Sequence, residues 1–116
     1  MKKGRKISGG KYIKSRKKKL YEIAGQKRII KLGEEKRRTK RTRGGNQKTF
    51  LLGAKFVNLP KNKKTEIKNV LETPSNKFLA RQNIITKGTI VQTNLGKVKI
   101  TNRPTQEGIL NGILIE

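Results

Sequence analysis

Several stretches of the chain alternate apolar and polar residues with the period of two that marks a half-buried strand. In residues 47–58, Phe50, Leu52, Ala54 and Phe56 recur on one face. In 65–73, Ile67 and Leu71 face away from Glu66, Lys68 and Glu72. Residues 89–93 are β-branched around Ile90 and Val91. Residues 97–101 alternate most cleanly, with Val98 and Ile100 opposite Lys97, Lys99 and Thr101. Residues 109–115 are apolar on both faces, interrupted by Asn111 and Gly112, and predict a last, buried strand. Asn94-Leu95-Gly96 predicts a tight hairpin. Pro60-Lys61-Asn62-Lys63, Thr73-Pro74-Ser75-Asn76 and Arg103-Pro104 mark turns between the strands. Short strands at this spacing predict a mainly β fold, a small antiparallel β-barrel, closed or half-closed. Residues 76–81 fit a helical turn capped by Asn76 or a return strand; the extended pattern of Ile84-Ile85-Thr86 favours the strand. Phe50, Phe56 and Phe78 lie in apolar patterns and are expected in the core.

Upstream of Asn46 the pattern fails. Only 11 of the first 45 residues are apolar, against 25 of the following 71. So little apolar surface does not offset the entropy of ordering a chain. The division predicts an extended basic arm over residues 1–45 and a β-barrel domain over residues 46–116. Leu20, Tyr21, Ile23 and Ala24 are spaced too irregularly for a regular helix. Residues 14–26 are therefore expected to be extended or loop, with room for one short helical piece.

Charge decides what class of partner this arm and barrel meet. The chain has 31 Lys and Arg against 7 acidic residues, a net charge of +24. Of this, +16 falls on residues 1–45 and +8 on the rest. A soluble surface needs a net charge of only about 2–8, so the excess predicts a polyanion, and nucleic acid first. The basic clusters are Lys2-Lys3-Gly4-Arg5-Lys6, Lys14-Ser15-Arg16-Lys17-Lys18-Lys19 and Arg37-Arg38-Thr39-Lys40-Arg41-Thr42-Arg43-Gly44-Gly45-Asn46. Arginine forks grip phosphate and their planes stack on unpaired bases. Gly9-Gly10 and Gly44-Gly45 are either plain turns or points where backbone amides approach phosphate; their basic surroundings favour the second. Tyr12 and Tyr21 fit base stacking as well as packing on Ile13 or Ile23. A single cluster also fits a nuclear localisation signal, but that does not explain charge spread along the whole chain. The residues expected to contact RNA are Lys2, Lys3, Arg5, Lys6, Lys11, Tyr12, Lys14, Arg16, Lys17, Lys18, Lys19, Lys27, Arg28, Arg37, Arg38, Lys40, Arg41, Arg43, Gly44, Gly45, Asn46 and Lys48.

Catalysis is excluded by missing residue types. The chain has no His, Cys or Asp, which removes the usual general base and thiol nucleophile. Glu34-Glu35 is the one adjacent carboxylate pair, and its setting among Lys31, Lys36, Arg37 and Arg38 suits a salt-bridged structural role better than proton transfer. The scattered Glu residues make no metal cage, and neither Gly10-Lys11 nor Gly96-Lys97 has Walker A spacing. No enzyme activity, cofactor, metal or small-molecule substrate is expected. There is no apolar run of membrane-spanning length and no secretory signal pattern.

Longer blocks then narrow the partner. The chain resembles the archaeal and eukaryotic small-subunit ribosomal protein family S8e, in its short archaeal form. The likeness is carried, in order, by Gly4-Arg5-Lys6-Ile7-Ser8-Gly9-Gly10-Lys11-Tyr12, by Lys18-Lys19-Leu20-Tyr21-Glu22-Ile23-Ala24-Gly25, and by Arg41-Thr42-Arg43-Gly44-Gly45-Asn46-Gln47-Lys48. It continues through Asn69-Val70-Leu71-Glu72, residues 85–93, residues 95–104 and residues 106–116. Two departures are mild: Lys14 and Lys17 to Lys19 stand in a stretch that varies more in the family, and the family's usual His near the start is absent. The resemblance implies a cytoplasmic small-subunit component on ribosomal RNA, beside other ribosomal proteins, with neither membrane nor homo-oligomer. The main rival is a DNA-compacting chromatin protein; a protein on anionic membranes would need an amphipathic helix that the sequence lacks.

Overall fold

The computed structural model describes residues 4–13 and 15–115. From Gly4 to Ile29 every described residue is exposed, and Ile30 is the first buried side chain. This exposed segment stretches the molecule to 68 × 33 × 23 Å, with a radius of gyration of 20.8 Å, against about 13 Å for a compact chain of this length. One turn of 3-10 helix, Leu20–Glu22, interrupts it, the short helical piece for which the irregular spacing left room.

Two sheets follow. β1 (Lys31–Leu32), β2 (Lys36–Arg41) and β3 (Gln47–Ala54) form a three-stranded sheet in the order β1-β3-β2. β1 runs parallel to β3, and β2 forms an antiparallel hairpin with it. β4 (Phe56–Leu59), β5 (Lys63–Glu72), β6 (Ile90–Thr93), β7 (Gly96–Ile100) and β8 (Gly112–Ile115) form an antiparallel sheet in chain order. This second sheet curls into a half-barrel. Its outer strands meet at one point, where Asn58 N–H donates to the Leu110 carbonyl at 2.9 Å and Asn58 bridges Asn111. The core between the sheets holds Ile30, Leu51, Val57, Ile85, Val91, Val98 and Ile100.

The mainly β, barrel-like reading holds, and the structure corrects several details. Residues 47–58 are two strands in different sheets. The break at Lys55 leaves two exposed residues in a row, so the inward phase moves to Val57 and Leu59. Phe56 is thereby 40% exposed, with the Lys64 ammonium 4.8 Å from its ring centre. In β5 the register shifts after Ile67 and again after Val70, so Val70 rather than Leu71 points inward. Residues 77–81 form a helix, α1 (Lys77–Arg81), not a strand. Asn76 caps it by accepting from Phe78 N–H at 3.0 Å, and Phe78 is 67% exposed.

The last strand is also less buried than its composition predicts. β8 lies at the sheet edge, so Ile113 and Leu114 are exposed while Gly112 faces inward. A side chain there would press on Val98 and come within 2.9 Å of the Lys99 carbonyl, which explains glycine inside a strand. The expected hairpin is present, with Thr93 paired to Gly96 across Asn94-Leu95. A second short helix, α2 (Pro104–Glu107), leads into β8 and packs on β3.

Compositional division near Gly45 falls inside the β2–β3 hairpin. Ile30 is wholly buried, Leu32 packs on the core, and the six residues of β2 all pair with β3. Segment 30–45 is therefore folded with the domain, although its polar composition resembles the arm. Its backbone bonds and two apolar anchors hold it there, a contribution that counting apolar residues does not register.

Candidate nucleic-acid interface

β2 reads Lys-Arg-Arg-Thr-Lys-Arg and is exposed throughout. Pairing with β3 splits its side chains between two faces. Arg37, Thr39 and Arg41 lie opposite Leu51, Thr49 and Gln47; Arg38 and Lys40 lie opposite Phe50 and Lys48. The first face is turned toward the protein. Arg37 donates through Nε to the Gly108 carbonyl at 2.9 Å and is ion-paired with Glu35. Arg37, expected as an RNA contact, is thus largely occupied in joining the hairpin to α2.

The second face is open and positive. Lys40 is directly opposite Lys48, with Arg38 two residues along the same strand. Phe50 is buried but stands apart from the core cluster; the Arg28 guanidinium covers it, 3.5 Å from the ring centre. At that distance the guanidinium lies on the ring face. Lys27, Arg28, Arg38, Lys40, Phe50 and Leu52 line a groove of about 330 Å³ together with Gly25, Gln26 and Ile29, with no acidic residue among them.

Like charges directly across a ladder destabilise a sheet, so the Lys40–Lys48 pair is a cost that the free protein bears. Replacing Lys48 by Glu should raise the thermal midpoint of the free protein by ~1–4 °C, from about 0.2–0.5 kcal/mol after solvent screening. The gain should shrink in high salt. A lower midpoint in K48E, measured by circular dichroism, would show that the two lysines are not opposed.

Upstream clusters are locally organised and partly engaged. Arg5 and Lys11 bridge a small hairpin that turns at Ile7-Ser8, where Gly9 N–H donates to the Lys6 carbonyl at 2.9 Å, and Arg5 Nη1 donates to the Gly9 carbonyl at 3.0 Å. Arg16 makes a two-pronged contact with Glu22 at 2.6 and 2.7 Å. Arg16 first, and then the Lys19 N–H, hold the Glu22 carboxyl below the usual carboxylate range. A lowered carboxyl pKa means that this turn is favoured at neutral pH and loses support as pH falls through that value. Lys6, Lys17, Lys18 and Lys19 are exposed, and so is Tyr12. The Lys19 ammonium stands 5.9 Å from the Tyr21 ring.

At the β2–β3 turn, Thr42 closes the loop by donating its N–H and Oγ1 to the Asn46 carbonyl at 2.6 and 2.8 Å. Gly44 and Gly45 both have φ near +90°, which glycine adopts without strain. The glycine pair is therefore a hairpin turn, with its residues exposed. Arg43 leaves the tip to donate to the Tyr21 carbonyl at 3.0 Å and sits 5.5 Å from that ring. This contact fastens the 16–22 turn to the hairpin tip and brings two distant clusters together.

Lys2, Lys3 and Lys14 lie outside the described residues. Two other cations join the picture without having been singled out. Lys87 and Arg103 line a second groove, of about 490 Å³, on the other side of Lys27 and Arg28. Each is isolated among neutral residues in the sequence, so only the fold could associate them.

Residues 1–115 match the family model of ribosomal protein S8e. Three archaeal relatives carry the name small ribosomal subunit protein eS8. That of Staphylothermus marinus is 48% identical, covering 97% of this chain and 92% of its own length. That of Nanoarchaeum equitans is 44% identical over the same shares. That of Methanosarcina barkeri is 41% identical, covering 97% of this chain and 94% of its own.

Proposed function

This chain belongs to the ribosomal protein S8e family, and on that premise we propose that it is a structural component of the small ribosomal subunit that binds and stabilises ribosomal RNA. The observation that carries the reading is the open face of β2 and β3, where Arg28, Arg38, Lys40 and Lys48 gather around Phe50 without a carboxylate. Such a face is unfavourable alone and favourable against phosphate. The role is structural rather than catalytic, in keeping with a sequence that has no His, Cys or Asp. One copy acts beside other ribosomal proteins, with no membrane or small-molecule partner.

In this reading the barrel docks on the RNA surface. The arm, which ends near Ile30 rather than at Gly45, lies between RNA helices. None of its described side chains is buried, so RNA supplies the contacts that order it. The engaged groups, Arg16, Arg37 and in part Arg43, shape the surface; Lys2, Lys3, Lys6, Lys11, Lys14, Lys17, Lys18, Lys19, Lys27, Arg28, Arg38, Lys40, Arg41 and Lys48 meet phosphates. Such contacts set position more than sequence preference.

Fractionation of a cell extract on a density gradient after a moderate-salt wash tests this. The protein should travel with the small subunit. Recovery with DNA instead would support a compacting role and overturn the ribosomal one; recovery with lipid would overturn both.

A further inference from the structure

We infer that the groove beside β2 receives one unpaired RNA base, stacked on Arg28. The inference rests on the ribosomal RNA reading and adds to it a site for a base. The Arg28 guanidinium plane packs on the Phe50 ring with its central carbon 3.5 Å from the ring centre, and Arg28 is an exposed residue that lines the groove. Packing against the ring holds that plane in place before any ligand arrives, which lowers the cost of stacking a base on it.

The surroundings favour a nucleotide over water. The groove, of about 330 Å³, falls in the range of small-ligand sites. Ile29 and Leu52 give its lining an apolar part, Phe50 lies beneath Arg28, and Lys27, Arg38 and Lys40 line it as cations. The apolar lining and the guanidinium plane suit a base; the lining cations suit its flanking phosphates. A duplex presents its bases already paired and stacked, so an unpaired base is the form that enters.

The test uses the full chain and two RNA probes: a short hairpin with one bulged adenosine, and the same hairpin fully paired. The wild type should bind the bulged RNA about tenfold tighter. R28K keeps the charge and loses the plane. It should bind both RNAs about equally, with the slope of affinity against salt unchanged. Equal binding by the wild type, or an R28K variant that keeps the preference, would overturn the base site while leaving phosphate binding intact. Failure of the wild type to bind either RNA would overturn the ribosomal RNA reading as well. Should R28K lose cooperative unfolding, the wild-type Arg28 Nε–Hε resonance serves instead. It should move upfield with bulged RNA and not with paired RNA; an unmoved resonance overturns the proposal.

Discussion

Raising the salt from about 50 to 200 mM should weaken binding of this protein to small-subunit ribosomal RNA by about 10³–10⁵-fold. That range corresponds to roughly six to ten phosphates neutralised. The net charge of +24 makes so many contacts available, but the structure shows that the cations are unequal. Arg16 is committed to Glu22, Arg37 to Glu35 and Gly108, and Lys55 to Glu66. Arg38, Lys40 and Lys48 are on the open face. Filter binding over a salt series should therefore give a steep wild-type slope. R38A and K40A should each reduce the slope by about one, whereas R16A should leave it nearly unchanged. A shallow wild-type slope, or equal losses in all three variants, would contradict the division between engaged and open cations.

Truncation should have the second large effect, this time on folding. Deleting Met1 to Arg16 should leave thermal unfolding cooperative, with a midpoint within a few degrees of the full chain. RNA affinity and its salt slope should both fall. Deleting Met1 to Gly45 should abolish cooperative unfolding. That cut removes wholly buried Ile30, the ladder between β2 and β3, and the Arg37–Gly108 bond. Loss of one buried isoleucine side chain costs about 2–5 kcal/mol, against roughly 5–15 kcal/mol for a whole domain. A shorter chain that still unfolded cooperatively near the full-length midpoint would restore the domain boundary to Gly45.

Parts of the fold were legible for local reasons. β6 and β7 are short, β-branched and joined by a two-residue loop, so neighbouring residues carry most of the needed information. Alternation at Val98 and Ile100 survives because β7 is paired on both sides and has one buried face. Where the period is interrupted, local reading failed. Phe56 falls on the wrong side of the bend at Lys55, Leu71 follows two register shifts, and Phe78 sits on a helix set by the Asn76 cap. A one-residue slip in a strand exchanges its faces, and alternation alone contains no mark of the slip.

The candidate site divides the same way. By itself the sequence determined a net charge of +24, which points to a polyanion as partner, because charge is a sum and needs no geometry. Absent residue types ruled out the usual catalytic groups, and ordered blocks pointed to the S8e family. Which cations are open was decided only by the tertiary structure. Arg37 and Arg38 are neighbours in one basic run, yet one reaches a carbonyl 71 residues away while the other stands on the open face. Arg28 and Phe50 meet across most of the β2–β3 hairpin and become a single stacked surface. Charge adds along the chain, whereas the face a side chain occupies depends on pairing and packing with distant residues.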